Sequence, residues 1–256
     1  MTGHVTNQPF TYQGSGPGAC LLIHGLGGGV YELQPLGKRL HQQGWTVRAM
    51  NLPGHDQPRP QMPASTWPEW VACVQKEYTR LRQRHEQVAV IGFSNGGLLA
   101  LYLAAQAPVY RLVLLAPFLG MWRWQWPLLY SVGYVIPSLP RRRLPIADPV
   151  MERQAWQCAF FRDFNLAAVR SALALQQRVC ALLPQITVPT LVIQARHDRV
   201  IDPQATWEGF QRLGSTQKVF HWLDTGNHII TWDYPREQVY RLVQDFLPLP
   251  GPPLLD

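Results

Sequence analysis

Val88-Ala89-Val90-Ile91-Gly92-Phe93-Ser94-Asn95-Gly96-Gly97 runs from a β-branched apolar stretch straight into a glycine-flanked serine. The small, apolar run Gly97-Leu98-Leu99-Ala100-Leu101 follows at once. The order reads as strand, sharp turn, helix, with Ser94 at the apex. Such a turn forces the apical residue into a strained backbone conformation. Glycines two before and two after it remove Cβ atoms that would otherwise collide. Ser94 is then expected above the carboxyl edge of a sheet, with the N–H of Asn95 opening a helix N-terminus. Two readings attach to that serine: an activated nucleophile, or a side chain that merely caps the helix. The buried strand before it and the small-residue helix after it favour the nucleophile.

Outward from this stretch the chain alternates. Phe10-Thr11-Tyr12 reads as an edge strand, and Ala19-Cys20-Leu21-Leu22-Ile23 as a buried one that ends in the glycine-rich loop His24-Gly25-Leu26-Gly27-Gly28-Gly29. Leu33 to Gln43 predicts a helix closed by Gly44, and Trp45 to Met50 the next strand. Thr66 and Glu69 have the spacing of a capping box, and Trp70, Val71, Val74, Tyr78 and Leu81 mark one apolar helix face. Beyond the serine, Arg111 to Ala116 and Thr190 to Ala195 read as strands. A helix from Pro203, a strand from Lys218 to Leu223 and a helix from about Arg236 to Phe246 follow. The alternation predicts an α/β protein: a mostly parallel sheet of roughly six to eight strands with helices on both faces and function at the strands' carboxyl ends. Residues from about 118 to 184 interrupt it and read as an insertion into a single domain spanning 1–256.

Composition narrows the class. With 46% apolar and only 15% charged residues, the 256-residue chain is neither disordered nor a coiled coil and can bury a full core. The formal charge of +7 comes from arginines that cluster weakly (Arg80, Arg82, Arg84; Arg141 to Arg143), with no aromatic-interleaved basic helix. No nucleic-acid partner is expected. The run Arg141 to Arg143 reads as a solvated face, or as one that meets an acidic headgroup or membrane surface. Cys20, Cys73, Cys158 and Cys180 form no CxxC pair and read as free thiols. The polar start, Met1 to Tyr12, carries no apolar signal core, and no run reaches the roughly 18 apolar residues of a bilayer span, so the expected compartment is the cytoplasm.

A serine nucleophile needs a base within hydrogen-bond reach and a carboxylate to orient that base. His228, on the loop after a late strand, fits the base. Among the carboxylates, Asp202 precedes Pro203 and is explained as a helix N-cap, and Asp224 reads as a turn former. Asp198, directly after the strand ending Gln194-Ala195-Arg196, is the expected acid. The oxyanion of a tetrahedral intermediate needs two preorganised N–H donors. The backbones of Asn95 and Leu26 are placed to supply them. The glycine loop lacks G-x-G-x-x-G and a following Lys-Ser/Thr, so it is a poor phosphate cradle.

His24-Gly25-Leu26-Gly27-Gly28, Pro53-Gly54-His55, Gly92 to Gly97, Gln194-Ala195-Arg196-His197-Asp198 and Gly226-Asn227-His228-Ile229-Ile230 together resemble the α/β-hydrolase superfamily. Within it they are similar to the bacterial carboxylesterases related to monoacylglycerol lipases. The resemblance implies Ser94 as nucleophile, His228 as base, Asp198 as its acid, and the Leu26 and Asn95 N–H groups as oxyanion hole. It implies a serine hydrolase of hydrophobic or monoacylglycerol-like carboxylic esters acting through an acyl-enzyme, with no cofactor and no metal. It also implies that the insertion, with Met121-Trp122-Arg123-Trp124-Gln125-Trp126, forms a lid that lines an acyl pocket or meets a membrane surface weakly. The alternatives are a thioesterase or acyltransferase on the same residues, or a catalytically silent lipid-binding protein of this fold. Asn95 departs from the Met, Leu or Gln usual after the nucleophile. Chain length, headgroup and oligomeric state are not legible.

Overall fold

The computed structural model describes residues 5–122 and 136–248. Its main sheet is built from β1 (Phe10–Tyr12), β2 (Ala19–Ile23), β3 (Thr46–Ala49), β4 (Val88–Phe93), β5 (Leu112–Leu115), β8 (Thr190–Ala195) and β9 (Lys218–Leu223). The spatial order is β1-β3-β2-β4-β5-β8-β9. All pairings are parallel except the edge pair, where Phe10 lies opposite Ala49 in antiparallel register.

The central strands are apolar at nearly every position because both faces are covered. Period-two alternation divides their side chains. Cys20, Leu22, Ala89, Ile91, Val113 and Ile193 enter the core on one face, which α1 (Gln34–Gln42) and α7 (Arg236–Phe246) cover. Leu21, Ile23, Val90, Leu114 and Val192 enter the other, beneath α2 (Trp67–Arg82) and α3 (Asn95–Ala104). Helix α2 begins as its sequence predicts: the Glu69 carboxylate accepts from the Thr66 N–H at 2.8 Å and from its hydroxyl at 2.7 Å. The four cysteines are free thiols.

Between β5 and β8 lie a small antiparallel pair, β6 (Ser138–Pro140) with β7 (Asp163–Asn165), and the helices α4 (Pro149–Cys158) and α5 (Leu166–Leu182). The tryptophan-rich segment expected to form the lid falls mostly on 123–135, outside the described residues. Two expectations for this region change. Leu166–Gln185, α5 with the 3-10 turn after it, is long and apolar enough to cross a membrane. In the fold, however, it packs on α2 and α3, with Ala168, Ala172, Leu175 and Val179 in the core. Arg141, read from sequence as part of a solvated face, is buried, while Arg142 and Arg143 are exposed. A run of like residues says nothing about which one the fold turns inward.

Helix α6 (Pro203–Arg212) starts on Asp202, whose side chain accepts the Gln204 N–H at 2.9 Å. That is the structural duty expected of it. Asp224, expected as a turn former, is exposed and paired with Arg196 at 2.9 Å.

Candidate active site

Ser94 sits between β4 and α3 with φ 53° and ψ −117°, a conformation L-residues avoid. The flanking glycines make that turn possible. A Cβ on Gly92 would stand 2.3 Å from the Gly96 carbonyl oxygen, and one on Gly96 would stand 2.1 Å from that of Ile23. The strained backbone is held by hydrogen bonds from Ser94 N to Leu115 O and from Gly97 N to Ser94 O, both 2.9 Å.

Two loops after the late strands bring the other predicted residues to it. His228 Nε2 lies 2.8 Å from Ser94 Oγ, and His228 Nδ1 lies 2.7 Å from Asp198 Oδ2. The other Asp198 oxygen accepts the N–H groups of Val200 and Ile201 at 2.8 and 3.0 Å. Gln194 Nε2 adds a bond to Oδ2 at 3.1 Å. Burial works against ionising Asp198, but His228 and the Ile201 and Val200 N–H groups overcome it and hold its carboxyl below the ordinary range. An ionised carboxylate only accepts, so the proton on the imidazole resides on Nδ1 and the Nε2 lone pair faces the serine hydroxyl. Asn227 links the two loops, its Oδ1 accepting from Arg199 N at 3.0 Å and from His228 N at 2.9 Å.

The loop from His24 to Gly28 passes close to Ser94, where a Cβ on Gly25 would stand 3.2 Å from the Ser94 Cβ. Gly25 N donates to Glu32 Oε2, Gly27 N to His55 Nε2 and Gly28 N to Gly25 O, at 3.0, 3.0 and 3.2 Å. Leu26 N, among the described residues, donates to nothing, and the same holds for Asn95 N at the first turn of α3. Both Leu26 and Asn95 line the cavity that contains Ser94. Two unpartnered N–H groups in one cavity wall are donors that an oxygen atom of a ligand can use.

That cavity has a volume of about 390 Å³ and a largely apolar wall, to which Phe118, Met121, Leu139, Phe164 and Val169 contribute. Its size suits a small apolar ligand. Among the described residues no three His, Cys, Asp or Glu side chains gather as metal ligands.

Several residues around the site were given no role by the sequence. His24 accepts the Leu52 N–H on Nε2 and contacts Gly25 O through Nδ1. Burial, and then the nearby His55, push its pKa down to about 3. His55 is likewise pushed down by burial, to about 4, and accepts the Gly27 N–H. Both rings are neutral supports of the glycine loop. Burial raises the Glu32 carboxyl to about 7, against the Gly25 N–H, Arg141 and His228, which lower it. Asp233 is fully buried and accepts backbone N–H groups from Asn227, Ala147, Asp148 and Tyr234. It thereby ties the His228 loop to the segment between β5 and β8. The motifs His24-Gly25-Leu26-Gly27-Gly28 and Pro53-Gly54-His55 pointed to the two histidines; nothing in the sequence pointed to Glu32 or Asp233.

A family model described as serine aminopeptidase, S33, matches residues 15–234. A carboxylesterase from Bacillus subtilis (strain 168) is 28% identical over 252 residues, covering 95% of this chain and 97% of that protein. A thermostable monoacylglycerol lipase from Bacillus sp. (strain H-257) is 28% identical over 240 residues, covering 93% of each. Among solved structures, one from the work on the metagenome-derived lipolytic enzymes LipS and LipT superposes with a TM-score of 0.85 at 24% identity, covering 94% of this chain and 97% of that one. The monoacylglycerol lipase of Paleococcus ferrophilus gives 0.80 at 20% identity, covering 93% and 97%. At these identities the structural matches speak for the fold.

Proposed function

This chain belongs to the serine aminopeptidase S33 family of α/β-hydrolases, and from that premise we propose that it cleaves hydrophobic, monoacylglycerol-like carboxylic esters through an acyl-enzyme. The observation that carries the reading is the contact chain Asp198–His228–Ser94 opening into an apolar cavity. Ser94 Oγ attacks the ester carbonyl carbon as His228 Nε2 takes the hydroxyl proton, and Asp198 stabilises the resulting imidazolium. The carbonyl oxygen becomes an oxyanion in front of the Leu26 and Asn95 N–H groups. Collapse breaks the bond to the alcohol, which leaves with the proton from His228. Water then repeats the sequence on the acyl-Ser94 ester, releasing the carboxylic acid. The cavity wall supports an acyl chain as its occupant, and the names of the curated relatives, carboxylesterase and monoacylglycerol lipase, point to the same substrates.

The test is turnover of soluble medium-chain esters and of a monoacylglycerol by the parent protein and by Ser94→Ala, with fluorophosphonate labelling alongside. The variant is expected to fold, to lose labelling and to lose about 10⁴ or more in kcat. Hydrolysis by Ser94→Ala at the parent rate overturns the proposal.

A further inference from the structure

Two ionisable side chains stand in the cavity wall outside the proton path. Glu32, in the 3-10 turn Val30–Glu32, is 2% exposed, and Arg141, just after β6, is 9% exposed. They do not form an ion pair with each other, and among the described residues no carboxylate lies within ion-pair distance of Arg141. The segment 123–135 contains no Asp or Glu that could provide one. Instead, Arg141 Nη1 donates to Gly27 O at 2.7 Å, its guanidinium rests on the Phe164 and Trp156 rings at 4.9 and 5.9 Å, and its Nε has no acceptor. Glu32 Oε2 accepts from Gly25 N at 3.0 Å. Burying an ionisable group is costly unless its polar atoms are hydrogen-bonded. Here each side chain is bonded to the backbone of one short loop, Glu32 before Leu26 and Arg141 after it.

The peptide unit between Gly25 and Leu26 lies between these two holds. Its carbonyl oxygen is bonded by Gly28 N at 3.2 Å and lies 2.8 Å from His24 Nδ1. In a planar trans peptide the N–H points opposite to the C=O. Glu32 holds the unit before this one through Gly25 N, and Arg141 holds the 27–28 unit, whose N–H bonds the Gly25 carbonyl. The two together therefore restrain where the Leu26 N–H points. Charge-assisted bonds hold such a position more firmly than neutral ones.

We propose that Glu32 and Arg141 are positioning residues that grip Gly25 and Gly27 from either side and aim the Leu26 N–H at the substrate carbonyl oxygen as Ser94 attacks. The inference rests on the reading of Ser94 as nucleophile and adds the insertion to the machinery, since Arg141 reaches the loop from there. Their contribution is made in the transition state, where the oxygen carries charge, and hardly at all in substrate binding.

The test is steady-state kinetics with a soluble medium-chain ester for Arg141→Met, Arg141→Lys, Glu32→Leu and Glu32→Gln. Affinity for a trifluoromethyl ketone of matched chain length, which adds to the serine as a hemiketal, is measured in parallel. Arg141→Met and Glu32→Leu are expected to lose about 10- to 100-fold in kcat with KM within about two-fold, and to lose ketone affinity in step. Lys retains a donor and Gln an acceptor, so each is expected to recover part of the loss. Parent kcat in folded Arg141→Met and Glu32→Leu overturns the inference, as does a loss that appears only in KM. If Arg141→Met fails to fold, the Glu32 pair and Arg141→Lys decide on the same criteria. Activity in Ser94→Ala would instead mark failure of the underlying reading.

Discussion

The turn around Ser94 and the bend around Arg141 both deliver a polar side chain to the wall of one cavity, by opposite routes. At Ser94 the local chain does the work. The glycines at 92 and 96 let strand and helix approach to distances no Cβ tolerates, and the serine's positive φ follows from the turn. At Arg141 nothing local requires burial. The guanidinium is inside because Gly27, Phe164 and Trp156, all remote from it in sequence, surround it there. The difference teaches that a backbone-imposed site is readable as a motif, whereas a neighbour-imposed one is hidden among similar residues.

The sharpest break of the comparison is Gly96→Ala. Its Cβ would stand 2.1 Å from the Ile23 carbonyl oxygen, a backbone atom with little room to yield. The expected loss is at least about 3 kcal/mol, a fall of roughly 6–12 °C in Tm. A melting curve superimposable on the parent's would show that the strand–helix approach is not set by the missing side chain.

Next comes pH, which acts on the buried groups around the glycine loop. His24 and His55 have folded pKa values of about 3 and 4, below the ordinary 6.5. The unfolded chain gains protons below that value while the fold does not, so their contribution is full above about 6.5 and is lost progressively as pH falls through about 4 for His55 and about 3 for His24. Glu32 runs the other way. Its folded value near 7 lies above the ordinary 4.5, so its burial destabilises increasingly as pH rises from 4.5 to 7. Urea unfolding across pH should therefore show Glu32→Gln gaining on the parent over that window, by up to about 3 kcal/mol. A constant difference between the two proteins would mean that Glu32 keeps its unfolded-state pKa.

The smallest effect separates neighbours. Arg142 is exposed beside buried Arg141. Arg142→Ala should shift stability by less than about 0.5 kcal/mol and leave kcat unchanged, against the kinetic loss expected of Arg141→Met. Equal kinetic losses at 141 and 142 would trace the effect to general basic charge rather than to the contact with Gly27.

By itself the sequence determined the strand–turn–helix at Ser94, the capped start of α2, the N-cap at Asp202 and the alternation that makes a buried parallel sheet. These are matters of backbone conformation, side-chain periodicity and bonds spanning a few residues, all carried in adjacent letters. It also narrowed the residues that could meet Ser94, since loops after late strands lie at the same edge of such a sheet. Tertiary structure alone decided the meeting itself: His228 reaches Ser94 across 134 positions and Asp198 across 30. It alone decided that Glu32, His55, Arg141 and Asp233 are buried and what each one holds. Desolvation and hydrogen bonding of a side chain depend on whatever surrounds it in space. For these four residues, most of those surroundings come from distant parts of the chain.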